Sequence, residues 1–243
     1  PLSTNTSYTY IVGARNGYGL RNNSTSASNF TLAAQPVNLA VTSPSNSSIS
    51  LSWSNASNPA GTLIDVYRNS ALIASVAASS YTDSPLSTNI SYTYIVGARN
   101  GYGLRNNSTS TSNFTLAAQP TGLVVTAPSN SSLSLTWSNA SNPAGTLIDI
   151  YRNTALIATV AASSYTDSPL STNTSYTYIV GARNGQGLRN NSTSASNFTL
   201  AAQPTGLTVT SPSNSSISLS WSNTSNPAGT LIDIYRGGAL IAS

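Results

Sequence analysis

The stretch SSLSLTWS, residues 131–138, sets Leu133, Leu135 and Trp137 on one side and Ser132, Ser134 and Thr136 on the other. Successive side chains of an extended chain point to opposite faces, so this period of two predicts a strand with one buried face. Upstream, Leu123-Val124-Val125 follows Pro120 and stops at Pro128, an edge-type strand, because proline cannot donate to a central ladder. Downstream, 138–145 is rich in turn formers, including Asn142-Pro143. Leu147-Ile148-Asp149-Ile150-Tyr151-Arg152 then reads as a strand, with its hairpin partner at 155–160 across a tight turn at Asn153-Thr154. A short strand around Tyr165 follows. Next comes 175–183, with Tyr176, Tyr178, Val180 and Ala182 on one face; Asn184-Gly185 turns the chain, and Asn197-Phe198-Thr199-Leu200 closes the unit. Seven short strands with turns every ~8–12 residues and no helical period predict an all-β sandwich. Trp137 and the tyrosines are expected in its core.

The unit recurs. Trp53, Trp137 and Trp221 are the three tryptophans and stand 84 residues apart; 1–84 returns as 85–168 and again as 169–243. In the third copy the hairpin tip is Gly237-Gly238, the residue type that a two-residue turn with positive φ prefers. A long fixed period marks an array of folding units. An enzyme seldom needs one site three times in a row, whereas a stalk, fibre or multivalent binder does. Complete domains are expected at 36–119 and 120–203. Residues 1–35 supply the last strands of a repeat and 204–243 the first strands of one. Alone, 204–243 would expose Ile217, Leu219 and Trp221 and leave strand edges unpaired. Their complement is expected from further repeats of the same chain or from another copy, head to tail. The junction 116–120, Leu-Ala-Ala-Gln-Pro, is too short and proline-bound for a flexible linker, so a linear, stiff array is expected.

Composition narrows the function classes. There is no Cys, His, Met, Lys or Glu; the nine basic residues are Arg and the five acidic ones Asp. Charged residues make up 6% and apolar ones 39%, the reverse of the pairing that produces disorder. The net charge of +4 comes from scattered Arg, not from clusters with stacking aromatics, so nucleic acid is not an expected partner. No run approaches the ~18 apolar residues of a membrane helix. Lack of Cys removes a disulfide framework and leaves an extracellular address open. Acid denaturation works mainly by protonating paired carboxylates and charging buried His, so this composition should tolerate low pH.

One motif is dense. N-x-[ST] begins at Asn5, Asn22, Asn23, Asn29, Asn46 and Asn55, recurs at Asn89, Asn106, Asn107, Asn113, Asn130 and Asn139, and again at Asn173, Asn190, Asn191, Asn197, Asn214 and Asn223. That is eighteen of twenty-seven Asn, above what the Ser and Thr content alone would give. These are candidate acceptors for covalent N-glycans. Catalysis is not expected: a Ser nucleophile finds no His, Lys or Glu base, and the two Asp of each repeat lie on different strands. Transition metals lack their usual ligands and no D-x-[DN]-x-[DN] spacing exists for calcium, so no metal or cofactor is expected. Asp149 is read as pointing outward to pair with Arg183 on the sheet surface, and Asp167 as a turn cap. Tyr151, Arg183 and Tyr102 are the candidates for an adhesive patch.

The residues Pro120-x-x-Leu123, Trp137, Ile148-x-Ile150-Tyr151-Arg152, Tyr165-Thr166-Asp167, Leu170 and Tyr176-x-Tyr178-x-Val180-x-Ala182 resemble a fibronectin type III domain of prokaryotic style. Leu170 with Tyr176 six residues on is similar to that family's tyrosine corner, and 185–187 to its F–G turn. Ile148 departs from the aromatic common there. The resemblance covers the whole chain; it implies tandem fibronectin-III-like sandwiches and a spacer or adhesive habit, since the family has no general active site. The expected function is a structural component of an extracellular, N-glycosylated filament, stalk or surface layer, on a prokaryotic, archaeal surface. The alternative is an adhesin or glycan-binding module that uses its repeats for avidity.

Overall fold

The computed structural model describes every residue except 56 and 140. Among the described residues the regular elements are all strands. The chain divides into two compact units, Pro1–Ala117 with Asn184–Leu188, and Ala118–Arg183 with Arg189–Ser243.

In the first unit, Val37–Thr42, Ile49–Ser54 and Ser80–Asp83 form a three-stranded antiparallel sheet in that order. A five-stranded sheet runs Ala71–Val76, Ile64–Arg68, Ser91–Arg99, with Arg105–Asn107 and Thr111–Phe114 both paired to the last of these. Arg105–Asn107 is thus an additional short strand ahead of the last of the expected seven. Ile49, Leu51 and Trp53 from one sheet meet Ile64, Val66, Tyr94, Val96 and Ala98 from the other in one buried cluster. Burying each large aliphatic or aromatic side chain contributes about 1.5–3 kcal/mol, and the serines between them stay on the opposite face.

The second unit repeats this plan. Thr121–Thr126, Leu133–Ser138 and Ser164–Asp167 make the smaller sheet; Ala155–Val160, Ile148–Arg152, Ser175–Arg183, Arg189–Asn191 and Ala195–Phe198 make the larger. The alternating stretch behaves as read, with Leu133 and Leu135 at 0% exposure and Trp137 at 6%. The tyrosine strand buries Tyr178, Val180 and Ala182. Tyr176 is half-buried, and its hydroxyl accepts from Ser171 N at 3.1 Å, as a tyrosine corner requires.

Elsewhere the same sequence stays uncovered. Among the described residues, Thr205–Ser213 pairs only with Ser216–Ser222, and Ile234–Arg236 only with Ala239–Ala242. Ile217 is 67% exposed and Leu219 37%, whereas their counterparts Leu133 and Leu135 are buried. Residues 1–35 contribute two short antiparallel pairs, Ser7–Tyr10 with Ala27–Phe30 and Gly13–Arg15 with Arg21–Asn23.

Candidate functional site

Four of the five acidic residues are internal, and two expectations need correction. Asp149 is 0% exposed, not a surface partner. It accepts hydrogen bonds from Arg183 and Arg189, and from Thr159 Oγ1 at 2.7 Å. Asp65, also 0% exposed, accepts from Arg105 and from Ser75, with Arg99 at 3.7 Å. Each lies on an inner strand of its five-stranded sheet, and partly exposed arginine side chains of other strands in that sheet turn their guanidinium groups onto the carboxylate. Burial pushes these carboxyls up. The donors outweigh it: Ser75 and Arg105 hold Asp65, and Arg183, Arg189 and Thr159 hold Asp149, below the usual carboxylate range. The hydrogen bond to the carboxylate in turn raises Arg105 and Arg189.

Asp167 is likewise buried, and it ties the two sheets together instead of capping a turn. Arg152 donates to its two oxygens at 3.1 and 3.0 Å and the Tyr178 hydroxyl donates at 2.7 Å, both from the larger sheet. Asp83 makes the same link to Arg68 and Tyr94. The phenols of Tyr94 and Tyr178 are pushed up by burial first and then by this carboxylate. Arg152 also stacks over Tyr176 at 5.7 Å. These four carboxylates are thus occupied by guanidinium and hydroxyl donors. Two of the three expected adhesive residues have partners as well, since Arg183 is bound to Asp149 and the Tyr102 hydroxyl donates to Ser28 O at 3.2 Å.

The most elaborate polar arrangement lies where one repeat meets the next. In the first unit Asn58 reads both backbone groups of Ala34, accepting at 2.7 Å and donating at 2.8 Å. Asn5 adopts φ 47°; its Nδ2 donates to Thr62 Oγ1 at 3.0 Å while its Oδ1 accepts from Gly101 N at 3.2 Å. Asn100 and Asn106 donate to Thr31 O and Ala33 O at 3.2 and 3.1 Å. Phe30 meets Tyr102 edge-on at 5.2 Å and lies so close to Gly101 that a methyl group there would collide with its ring. Ala33 is part of the core cluster of the following sandwich.

The second unit builds the same joint from equivalent residues. Asn226 reads Ala202 at 2.7 and 2.8 Å, Asn173 donates to Thr230 at 2.9 Å, and Thr172 donates to Ser225 O. Asn142 reads Ala118 at 2.8 and 2.9 Å. In the sequence Asn142-Pro143 and Asn184-Gly185 read only as turn formers. Their recurrence at the 84-residue period was the available signal for a further task.

The candidate glycan acceptors separate by what holds them. Asn5, Asn89 and Asn173 sit at the joint: Asn89 Oδ1, like Asn5 Oδ1, accepts from a glycine N–H, that of Gly185 at 3.1 Å. Asn106 is also at the joint, and Asn190, its equivalent, is half-buried. Asn113 and Asn197 each donate at 2.8 Å to a carbonyl of the first strand, Val41 and Val125 respectively. The side-chain oxygens of Asn55, Asn139 and Asn223 accept from Asn58, Asn142 and Asn226; residues 56 and 140, in the first two of these motifs, lie outside the described residues. Asn46 and Asn130 lie half-buried in the turn between the first two strands, and Asn214 is exposed. Asn22, Asn23, Asn29, Asn107 and Asn191 are exposed.

No family model matches the chain. It is 28% identical over 230 residues to Exoglucanase B of Cellulomonas fimi, covering 84% of this chain and 21% of that protein. It is 30% identical over 219 residues to Chitinase A1 of Niallia circulans, covering 85% of this chain and 30% of the relative. A shorter match, 41% over 63 residues, is to the Poly(3-hydroxybutyrate) depolymerase of Ralstonia pickettii, 26% of this chain and 12% of that one. The chain spans less than a third of each of these relatives. Among solved structures, it is 18% identical to the central Fibronectin-III array of RIM-binding protein, with TM-score 0.30 over 76% of this chain and 78% of that one. It is 18% identical to chicken CNTN1 FN1-FN3 domains, with TM-score 0.33 over 79% and 77%. The sheet order, the two-sheet core and the tyrosine corner together make this an all-β chain of the fibronectin-III-like β-sandwich fold.

Proposed function

We propose that this chain is a non-catalytic structural spacer, an extracellular, N-glycosylated run of sandwiches that forms part of a stalk, filament or surface layer. Its folding units are taken as 36–119 and 120–203, with 1–35 and 204–243 completing neighbouring ones. The observation that carries the reading is the joint. Asn58 and Asn226 read Ala34 and Ala202 through the same pair of hydrogen bonds, and Asn5 and Asn173 reach Thr62 and Thr230 in the same way. Binding groups used so consistently at repeat boundaries support a restrained step between repeats, which a spacer needs. The expected partners are further repeats or further copies, head to tail, a heterologous contact that propagates without closing. The curated relatives are named as enzymes acting on polymers, which supports an extracellular setting for a spacer.

Small-angle scattering of the 243-residue chain tests this. A compact globule of this length has a radius of gyration of about 18 Å. A value well above that, with little interdomain flexibility, is expected. A value near 18 Å would overturn the stiff spacer.

A further inference from the structure

We propose that the N-x-[ST] asparagines of each repeat divide between two exclusive tasks: Asn46, Asn107, Asn130 and Asn191 carry the glycan, while Asn5, Asn89, Asn106 and Asn173 stay unmodified as the clamps of the repeat joint. The inference rests on the reading of the chain as an exported glycoprotein and assigns the sites within it.

The clamp class is defined by geometry. Glycosylation replaces a hydrogen on Nδ2 with a sugar ring, so the acceptor nitrogen needs open space around it. Asn5 has none to give. Its amide lies between two repeats, with Nδ2 on Thr62 and Oδ1 on the Gly101 amide. Its φ of 47° turns the side chain into that gap, a conformation that Asn adopts more readily than other non-glycine residues. Asn89 and Asn173 share the conformation, at φ 53° and 45°. Asn106 Nδ2 reaches across the same joint to Ala33 O. A sugar on Asn5 would have to fit beside Gly101, where Phe30 already presses, and one on Asn89 beside Gly185, where Phe114 does.

The carrier class is the complement. Asn46 and Asn130 occupy the turn between the first two strands. That turn is held by its neighbours: Leu116 N donates to Ser45 O at 3.0 Å and Leu200 N to Ser129 O at 3.1 Å, while the hydroxyls of Ser45 and Ser48, and of Ser129 and Ser132, meet at 2.7 Å. The Asn between them takes no part in this network, and among the described residues no protein group bonds its side chain. Asn107 and Asn191 are exposed on a short strand, and each lays its side-chain oxygen over the glycine opposite, Gly97 and Gly181, where a methyl group would collide with it. The motif is therefore reused: the same three-residue pattern serves as a joint where the amide bonds to the next repeat and as a glycan anchor where it does not.

The test compares two single variants of the whole chain, secreted from an N-glycosylating host, with folded monomer isolated before intact-mass and glycopeptide analysis. A transferase that acts before folding would leave a chain modified at Asn89 with an open joint, so the folded fraction is the one to map. Asn130→Gln is expected to lose one glycan mass and keep the wild-type melting midpoint. Asn89→Gly, which retains the positive φ, is expected to lose no glycan mass, to melt a few degrees lower and to be cut faster by protease near 116–120. Loss of a glycan mass from Asn89→Gly, or none from Asn130→Gln while other sites are occupied, would overturn the division. A bare polypeptide mass for the parent chain would instead overturn the glycoprotein reading on which it rests.

Discussion

At the scale of the residue, four of the five carboxylates lie inside the sandwiches. Asp149 satisfies Arg183, Arg189 and Thr159 at once, and removing a buried charge from such a set leaves its partners uncompensated. Asp149→Asn should lower the melting midpoint by about 5 °C, since each kcal/mol is worth a few degrees in a chain of this size. The pH dependence follows from the directions of the shifts. The carboxyls of Asp65 and Asp149 lie below their unfolded value, so their contribution is complete above about pH 4 and is lost as pH falls through the lower native value. The phenols of Tyr94 and Tyr178 lie above theirs, so that contribution is complete below about pH 10 and fades as pH rises through the native value. A denaturant midpoint that stays flat from about pH 4 to 10 is the expected result; a step near pH 6–7 would contradict it. Trp137, 6% exposed between the sheets, should cost roughly 3–5 kcal/mol as Trp137→Ala, read from a chemical melt.

At the scale of the element, hairpin tips show how the repeats differ. Asn153 and Thr154 sit at φ 48° and 75°, and Gly237 and Gly238 hold the equivalent places at 57° and 85°. A β-branched residue in the left-handed region is strained, whereas glycine is not. Thr154→Gly is therefore expected to stabilise the chain by about 0.5–1 kcal/mol, less than the relieved strain because glycine gains freedom in the unfolded chain. An unchanged or lower midpoint would show that Thr154 makes up the strain elsewhere. The bulge at the start of each first strand follows the same rule, with Asn38 at φ 58° where the other copies use Gly122 and Gly206.

At the scale of the whole molecule, identical sequence meets different surroundings. Tyr94 and Val96 are fully buried, while their counterparts Tyr10 and Val12 are 56% and 74% exposed. The opposing sheet supplies the difference, so burial here is a property of the array rather than of the segment. Close approach at the joint is equally contextual. Gly101→Ala should push the Phe30 ring away and open the 32–36 segment to protease, while the melt of the sandwich itself changes little. Unchanged cleavage would show that the joint yields without opening.

The alternating strands, the period and the inward face are legible in the chain, because alternation and turn residues are local and recur 84 residues apart, whereas the short strand Arg189–Asn191 carries no such alternation. Ser164–Asp167, Ser175–Arg183 and Ala155–Val160 lie where the pattern put them. The tyrosine corner was legible for the same reason, since its two ends are close along the chain. Tertiary structure alone decided the fate of the polar residues. Asp149 alternates with Ile148 and Ile150 and so reads as outward, yet arginines from the neighbouring strand and beyond it cover that face and seal it from water. Likewise, nothing in the spacing of Asn5 tells its amide from that of Asn46. Only the packing of one repeat on the next, over tens of residues of separation, makes one a clamp and leaves the other free.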